Sequence, residues 1–246
     1  MDTSKSLASP IELPHRSTPP GFLTGETIDT VQKGSGFVQY GHPYAALDRF
    51  FVGLKPQWSG INAIEFTENS PVTYVKKFRK AEANVRVNYL KATSHRNLVN
   101  LREVFVTDDS IFFVYERWGI SLKEICQLWP VFQLGEVEVA TLCNEILNGL
   151  KYIHDELGVS HGDLREENIF IMENGDVRIG NIGESMVRVP KPQGKDKDLQ
   201  AVCNIVQCLL GLDKAESAGG TMRLLAGDFA GAPCSATIDE LLQVCF

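Results

Sequence analysis

Two short segments of this chain carry the side chains best able to do chemistry together. His161-Gly162-Asp163-Leu164-Arg165-Glu166-Glu167-Asn168 sets a carboxylate and an amide five residues apart, and Asn181-Ile182-Gly183 adds a second amide 18 residues after Asp163. A carboxylate can accept a proton from a hydroxyl, and clustered oxygen ligands can hold a divalent cation. Magnesium leans on carboxylates, however, and an amide is nearly isosteric with one while carrying no formal charge. Amides alone would therefore hold such an ion only weakly. Lys76, in Val75-Lys76-Lys77-Phe78, offers a cation. Strand alternation would put it on one face with Tyr74 and leave Lys77 on the other.

The elements that must position these groups fall into two halves. Phe50-Phe51-Val52, Ile61–Phe66 and Val72–Phe78 are short apolar or alternating runs broken by Gly, Pro and Asn, as expected of a small antiparallel sheet. Leu98–Phe105 and Ile111–Tyr115 supply two further strands, and Ala81–Thr93 reads as a helix preceding them. After Gly119 the pattern turns helical. Glu136–Leu157 is the clearest helix, with Ala140, Cys143, Ile146, Leu147, Leu150 and Ile153 at a three-to-four residue period. Ile169–Met172 and Val177–Ile179 flank Glu173-Asn174-Gly175-Asp176, where Asn-Gly is a strong hairpin signal. Leu199–Leu212 and Ile238–Val244 close the chain as helices.

In this order, the motifs resemble those of protein kinases. The family's catalytic loop reads H-R-D-L-x-x-x-N and its metal motif reads D-F-G, matching His161–Asn168 and Asn181–Gly183 in part. Thr93-Ser94-His95-Arg96-Asn97-Leu98-Val99 is similar to the turn after the family's C-helix. Val114-Tyr115-Glu116-Arg117-Trp118 lies where the interlobe hinge should be, and Glu145–His154 resembles the helix leading into the catalytic loop. The resemblance runs from about Arg49 to the C-terminus. It implies an α+β, two-lobed fold: a β-rich N-lobe over residues 46–118 and a mainly helical C-lobe over 119–246, after a polar, disordered tail over residues 1–45.

The resemblance also implies roles. Asp163 would be the base, Lys76 would hold nucleotide phosphates, Asn168 and Asn181 would stand at the metal, and Glu116 and Trp118 would border an ATP cleft. Lys77, with Val75 as the small residue, is the other possible registration. Tyr74 stands where kinases usually carry a small alanine, and would occupy the adenine site itself. Gly53-Leu54-Lys55-Pro56-Gln57-Trp58-Ser59-Gly60 is not a glycine-rich phosphate loop, and Pro56 removes a backbone N–H that a cradle would use. The C-helix glutamate position falls on Arg86, with Glu82 a turn earlier. Gly162 replaces an arginine that clamps phosphorylated activation segments. Only 17 residues separate Asn181 from Asp198, with no A-P-E motif between them, and Ser235 replaces that motif's arginine partner. Asp198 fits an aspartate that braces the catalytic loop; a simple helix-cap role is the alternative.

The joint losses point to a degenerate, pseudokinase-like domain working as a binding or regulatory module. A divergent active Ser/Thr kinase, with Glu184 or Asp176 supplying metal charge, is the second reading; Glu184 otherwise reads as a solvated loop charge. A small-molecule phosphotransferase is the third. ATP and Mg2+ would be the cofactors of an active form, and none of a dead one. A net charge of −7 over 246 residues argues against nucleic acid as partner, and the pseudokinase-like resemblance implies protein partners. The six cysteines form no C-x-x-C pair, and most sit among apolar residues and read as small buried thiols in a reducing compartment. With no apolar run long enough to span a bilayer and no apolar leader at the N-terminus, the chain reads as an intracellular protein without a membrane role, cytoplasmic or nuclear.

Overall fold

The computed structural model describes residues 36–43, 51–57, 60–65, 72–80, 85–117, 119–128, 134–210, 229, 231 and 236–244. Five of the strands follow the chain order expected of the N-lobe: β2 (Phe51–Gln57), β3 (Gly60–Glu65), β4 (Val72–Arg79), β5 (Leu101–Val106) and β6 (Ser110–Tyr115). The sixth, β1 (Val38–Tyr40), lies inside the stretch predicted to be a polar tail, and it corrects that boundary. The sheet order is β1-β5-β6-β4-β3-β2, with β1 parallel to β5 and the other neighbours antiparallel. Val38 pairs with Val104 and Tyr40 with Val106. The three apolar or aromatic-bearing residues Phe37, Val38 and Tyr40 are too few to show a period, but the unpaired edge of β5 is a template for them. All the described residues belong to one unit, Lys33–Phe246.

Alternation along β4 does what its sequence predicts. Val75 joins Phe105, Phe112 and Val114 in a small cluster on one face, while Tyr74 and Lys76 are buried on the other. Lys77 is exposed, with its ammonium 5.6 Å from the Phe112 ring centre, so Lys76 is the inward lysine. Strand β6 is buried along its whole length, as befits a central strand covered on both faces.

Below the sheet, β7 (Ile120–Ser121), β8 (Ile169–Ile171) and β9 (Val177–Ile179) form a three-stranded sheet, and α1 (Leu122–Gln127) follows β7 directly. Ser121 and Glu124 cap α1 reciprocally, each side chain accepting from the other's backbone N–H. Helix α2 (Glu136–Asp155) buries Val139, Leu142, Cys143, Ile146, Leu147, Leu150 and Ile153 as one stripe, against β9, α4 (Gly194–Leu210) and α5 (Ile238–Val244). A six-residue helix, α3 (Ile182–Val187), occupies the short segment after Asn181. Cys143 and Cys203 are buried as expected, but Cys208 is exposed. No helix among the described residues is long and apolar enough to cross a membrane.

The link between the halves passes very close to β8. A Cβ on Gly119 would lie 1.7 Å from the Ile171 carbonyl oxygen and 2.5 Å from its carbon. Backbone cannot move aside as a flexible side chain can. Gly119→Ala is therefore expected to destabilise the fold by at least about 2 kcal/mol in urea unfolding; a change within the scatter of surface substitutions would contradict that packing.

One predicted element differs. Of the helix expected over Ala81–Thr93, residues 81–84 lie outside the described set, and the rest holds a single 3-10 turn, Val87–Tyr89. Val85, Val87 and Asn88 are all weak helix formers. The Arg86 N–H donates instead to Val187 of α3 at 3.1 Å, and the Arg86 guanidinium lies 3.3 Å over the Tyr89 ring. A helical ladder has lost its donor to a neighbouring element. Glu82, Trp58, Ser59, Trp118, Cys234, Ser235 and Cys245 also lie outside the described residues.

Candidate functional site

The loop His161–Asn168 is held from behind by Asp198 of α4, only 2% exposed. Its Oδ2 accepts from the His161 N–H at 2.7 Å and from His154 Nε2 at 2.9 Å, while Oδ1 accepts from the Gly162 N–H at 2.8 Å. Asp198 lies in the second turn of α4, so it braces the loop rather than capping the helix. Gly162 sits at φ +74°, a left-handed conformation that glycine adopts without steric cost. Burial pushes the His161 imidazole below its ordinary pKa. The neutral ring donates from Nε2 to the Gly180 carbonyl at 2.8 Å, and Gly180 N–H donates to Asn168 O at 2.8 Å. These two bonds fix where Asn181 begins.

From there a continuous polar relay crosses the site. Asn168 Nδ2 donates to the Asp163 carbonyl at 2.6 Å and to its carboxylate at 3.2 Å. Asn168 Oδ1 accepts from Asn181 Nδ2 at 2.5 Å, and Asn181 Oδ1 accepts from Lys76 Nζ at 3.0 Å. Lys76 Nζ in turn lies 2.5 Å from Glu184 Oε1, in an ion pair whose side chains are 10% and 12% exposed. The other carboxylate oxygen of Glu184 meets Arg188 Nη2 at 2.8 Å. Asn181 stands at φ 64°, which asparagine tolerates better than most residues. It precedes α3, yet its side chain makes no cap bond, because it is turned to Lys76 and Asn168.

Helix α3 is what brings Glu184 to Lys76. Ile182, Met186 and Val187 are buried, Gly183 N–H donates to Tyr115 Oη at 2.9 Å, and Ser185 Oγ donates to His161 O at 2.7 Å. A Cβ on Gly183 would lie 2.6 Å from the Phe113 ring, so glycine is what lets α3 lie this close to β6. Glu184 is thus neither a solvated loop charge nor a spare acid facing a metal: both oxygens are engaged. Its partner lies more than a hundred residues away, and no local pattern could have disclosed it.

A cavity of about 260 Å³ opens beside this relay, lined by Tyr74, Lys76, Tyr115, Asp163, Asn168, Phe170 and Asn181, among others. Small-molecule sites commonly run from about 300 Å³ upward, so the space is small for a nucleotide. Tyr74 is one of its walls. Burial, then the nearby Glu184 carboxylate, pushes the Tyr74 phenol well above its ordinary pKa, and burial does the same to Tyr115. At the mouth Arg165 Nε pairs with Glu167 at 2.6 Å and lies 3.5 Å from Asp163.

Two predicted contributors lie elsewhere. The Glu116 carboxylate accepts from Asn100 N at 3.0 Å and from Arg178 Nη1 at 2.5 Å, so it ties the hinge to β9 and does not line the cavity. Asp176 sits in the β8–β9 turn, bonded to Asn174 at 3.0 Å and Arg178 at 3.3 Å. It cannot supply charge to a metal beside Asn168.

A family model described as the protein kinase domain matches residues 63–203, more than half of the chain. The chain belongs to the protein kinase family. This kinase domain is 37% identical over 106 residues to the mitogen-activated protein kinase HOG2 of Zygosaccharomyces rouxii, covering 43% of this chain and 24% of that protein. The same identity and length hold for mitogen-activated protein kinase HOG1 of Saccharomyces cerevisiae, at 43% and 23%. Serine/threonine-protein kinase pakA of Dictyostelium discoideum is 28% identical over 115 residues, 44% of this chain and 10% of that protein. The match spans about a quarter or less of these relatives' length.

Kinase domains typically work with ATP and magnesium. Here the donor set does not fit the ion. Both amide oxygens a metal would use already accept hydrogen bonds from within the site, and the Lys76 ammonium lies where a second cation would be repelled. Turning the Asn181 amide round to free its oxygen would set its NH2 against that ammonium. Among the described residues no group of three His, Cys, Asp or Glu is arranged to hold a metal.

Proposed function

We propose that this kinase domain is a binding and regulatory module with impaired phosphoryl transfer, working through protein partners inside the cell. The observation that supports it best is the relay from Asp163 through Asn168, Asn181 and Lys76 to Glu184. Phosphoryl transfer needs metal charge and a free phosphate-holding lysine together. Neither is offered here, since Lys76 is engaged by Asn181 and Glu184 and both amide oxygens already accept hydrogen bonds from within the site. Asp163 and Asn168 then serve the loop's architecture, since each is a bonding partner whose removal would strand a buried group.

The test is phosphate transfer by the full chain from γ-labelled ATP with magnesium, to itself and to a generic Ser/Thr substrate, against Asp163→Asn. The expected result is incorporation no greater than in Asp163→Asn. Magnesium-dependent transfer that disappears in that variant would overturn the proposal in favour of a divergent active kinase.

A further inference from the structure

The segment that joins α3 to α4 has a conformation that nothing in the relay requires. Arg188-Val189-Pro190-Lys191-Pro192-Gln193 is exposed at every residue, between a buried Val187 and a buried Gly194. Arg188 stands at φ −74° and ψ 150°, the values of a polyproline II helix. Each proline ring fixes its own φ at about −65°. It also pushes the residue before it, Val189 or Lys191, into the same extended region. The run ends in a turn, where Gly194 N–H donates to Lys191 O at 3.1 Å and Gln193 stands at φ 56°. Both ends are fixed. Arg188 N–H donates to Glu184 O at 3.2 Å, and a Cβ on Gly194 would strike Ser160, so α4 begins hard against the residue before the loop His161–Asn168.

A polyproline II helix has three residues per turn, so residues three apart share an edge. Arg188 and Lys191 then line one edge, and Val189 and Pro192 a second. One edge is cationic and the other apolar, on a chain whose net charge is −7. Val189 is 54% exposed although Met186 and Val187 just before it are buried. Arg188 shares its charge with Glu184 across 2.8 Å, whereas Lys191 has no ion-pair partner among the described residues. A segment already held in this shape loses little conformational entropy when it docks. Such segments are read by grooves lined with aromatic rings, and a cationic edge calls for carboxylates at the groove's rim.

We propose that residues 188–192 are a docking segment, a preformed polyproline II ligand for a protein partner whose groove is lined by aromatic side chains and rimmed by carboxylates. The inference rests on the reading of this domain as a binding module, and it names the surface and the kind of partner. Val189, Pro190 and Pro192 enter the aromatic groove. Lys191, with Arg188 beside it, faces the acidic rim.

The test is a fluorescence-polarisation titration of the full chain against a panel of SH3 and WW domains, sorted by the number of carboxylates at the groove rim. Pro190→Ala/Pro192→Ala and Lys191→Glu are the variants. All three positions are exposed, and circular dichroism checks that each variant keeps the fold. Expected is binding by acid-rimmed members of the panel, weakened at least about tenfold by either variant, and weakened in the wild type as salt rises from about 0.1 M to about 1 M. No binding by any member, or binding that Pro190→Ala/Pro192→Ala leaves unchanged, would overturn the proposal. Binding that Lys191→Glu leaves unchanged would overturn the acidic rim. Phosphate transfer is read separately on the same chain. Magnesium-dependent transfer there would sink the impaired-kinase reading and leave a measured docking affinity standing, whereas a panel without a binder would sink only the docking segment.

Discussion

Asp198→Ala is expected to cost this domain about 3–5 kcal/mol, the largest single-residue effect among the site's supporting groups. The carboxylate is almost fully buried and accepts from two loop amides and a histidine. Alanine would leave the His161 N–H and the His154 ring buried without their acceptor, and would also free the more exposed Gly162 N–H. Asp198→Asn should recover only part of the loss, because one of its two positions becomes a donor facing another donor. Urea unfolding by circular dichroism reads the difference. A loss below about 1 kcal/mol, the size of a cap residue's contribution, would mean that Asp198 does not hold the loop.

The second large effect concerns Lys76. In an active kinase its replacement would chiefly abolish transfer. Here Lys76→Met is expected to lower stability by about 2–4 kcal/mol, since it leaves Glu184 nearly buried with Arg188 as its remaining partner. Lys76→Met/Glu184→Leu should lie within about 1 kcal/mol of the wild type, because replacing both members of a buried pair by apolar groups of similar size removes the desolvation cost with the attraction. The double-mutant cycle is the measurement. A double variant as unstable as the sum of the two single ones would show that the residues do not act as a pair.

How much of this was legible in the sequence depends on the range of each interaction. Strand β4 was readable because alternation is local: Val75 and Lys77 face one way, Tyr74 and Lys76 the other. Helix α2 and the Asn174-Gly175 turn were readable for the same reason. Asn168 and Asn181 could be found by spacing, and so could their lack of charge. Glu184 could not, because its role depends on α3 docking against residues far away in the chain. The 3-10 turn at Val87–Tyr89 was missed because Arg86 gives its N–H to α3. Val38–Tyr40 was missed because its partner, the edge of β5, lies more than sixty residues on. The Glu116 carboxylate was misplaced because its acceptor role is set by Asn100 and Arg178, which converge only in the fold. In each case local chemistry was read correctly and the distant partner decided the outcome.

On the proposed reading, the chain's own side chains satisfy this site, leaving no place for magnesium and no free lysine for phosphate. The most direct measurement is the thermal unfolding of the full chain with ATP alone and with ATP plus magnesium. Two melting temperatures that agree within error, at every magnesium concentration tried, are the predicted result. A magnesium-dependent rise that saturates with ATP would contradict the account, because it would require Asn168 and Asn181 to release their internal bonds to a metal.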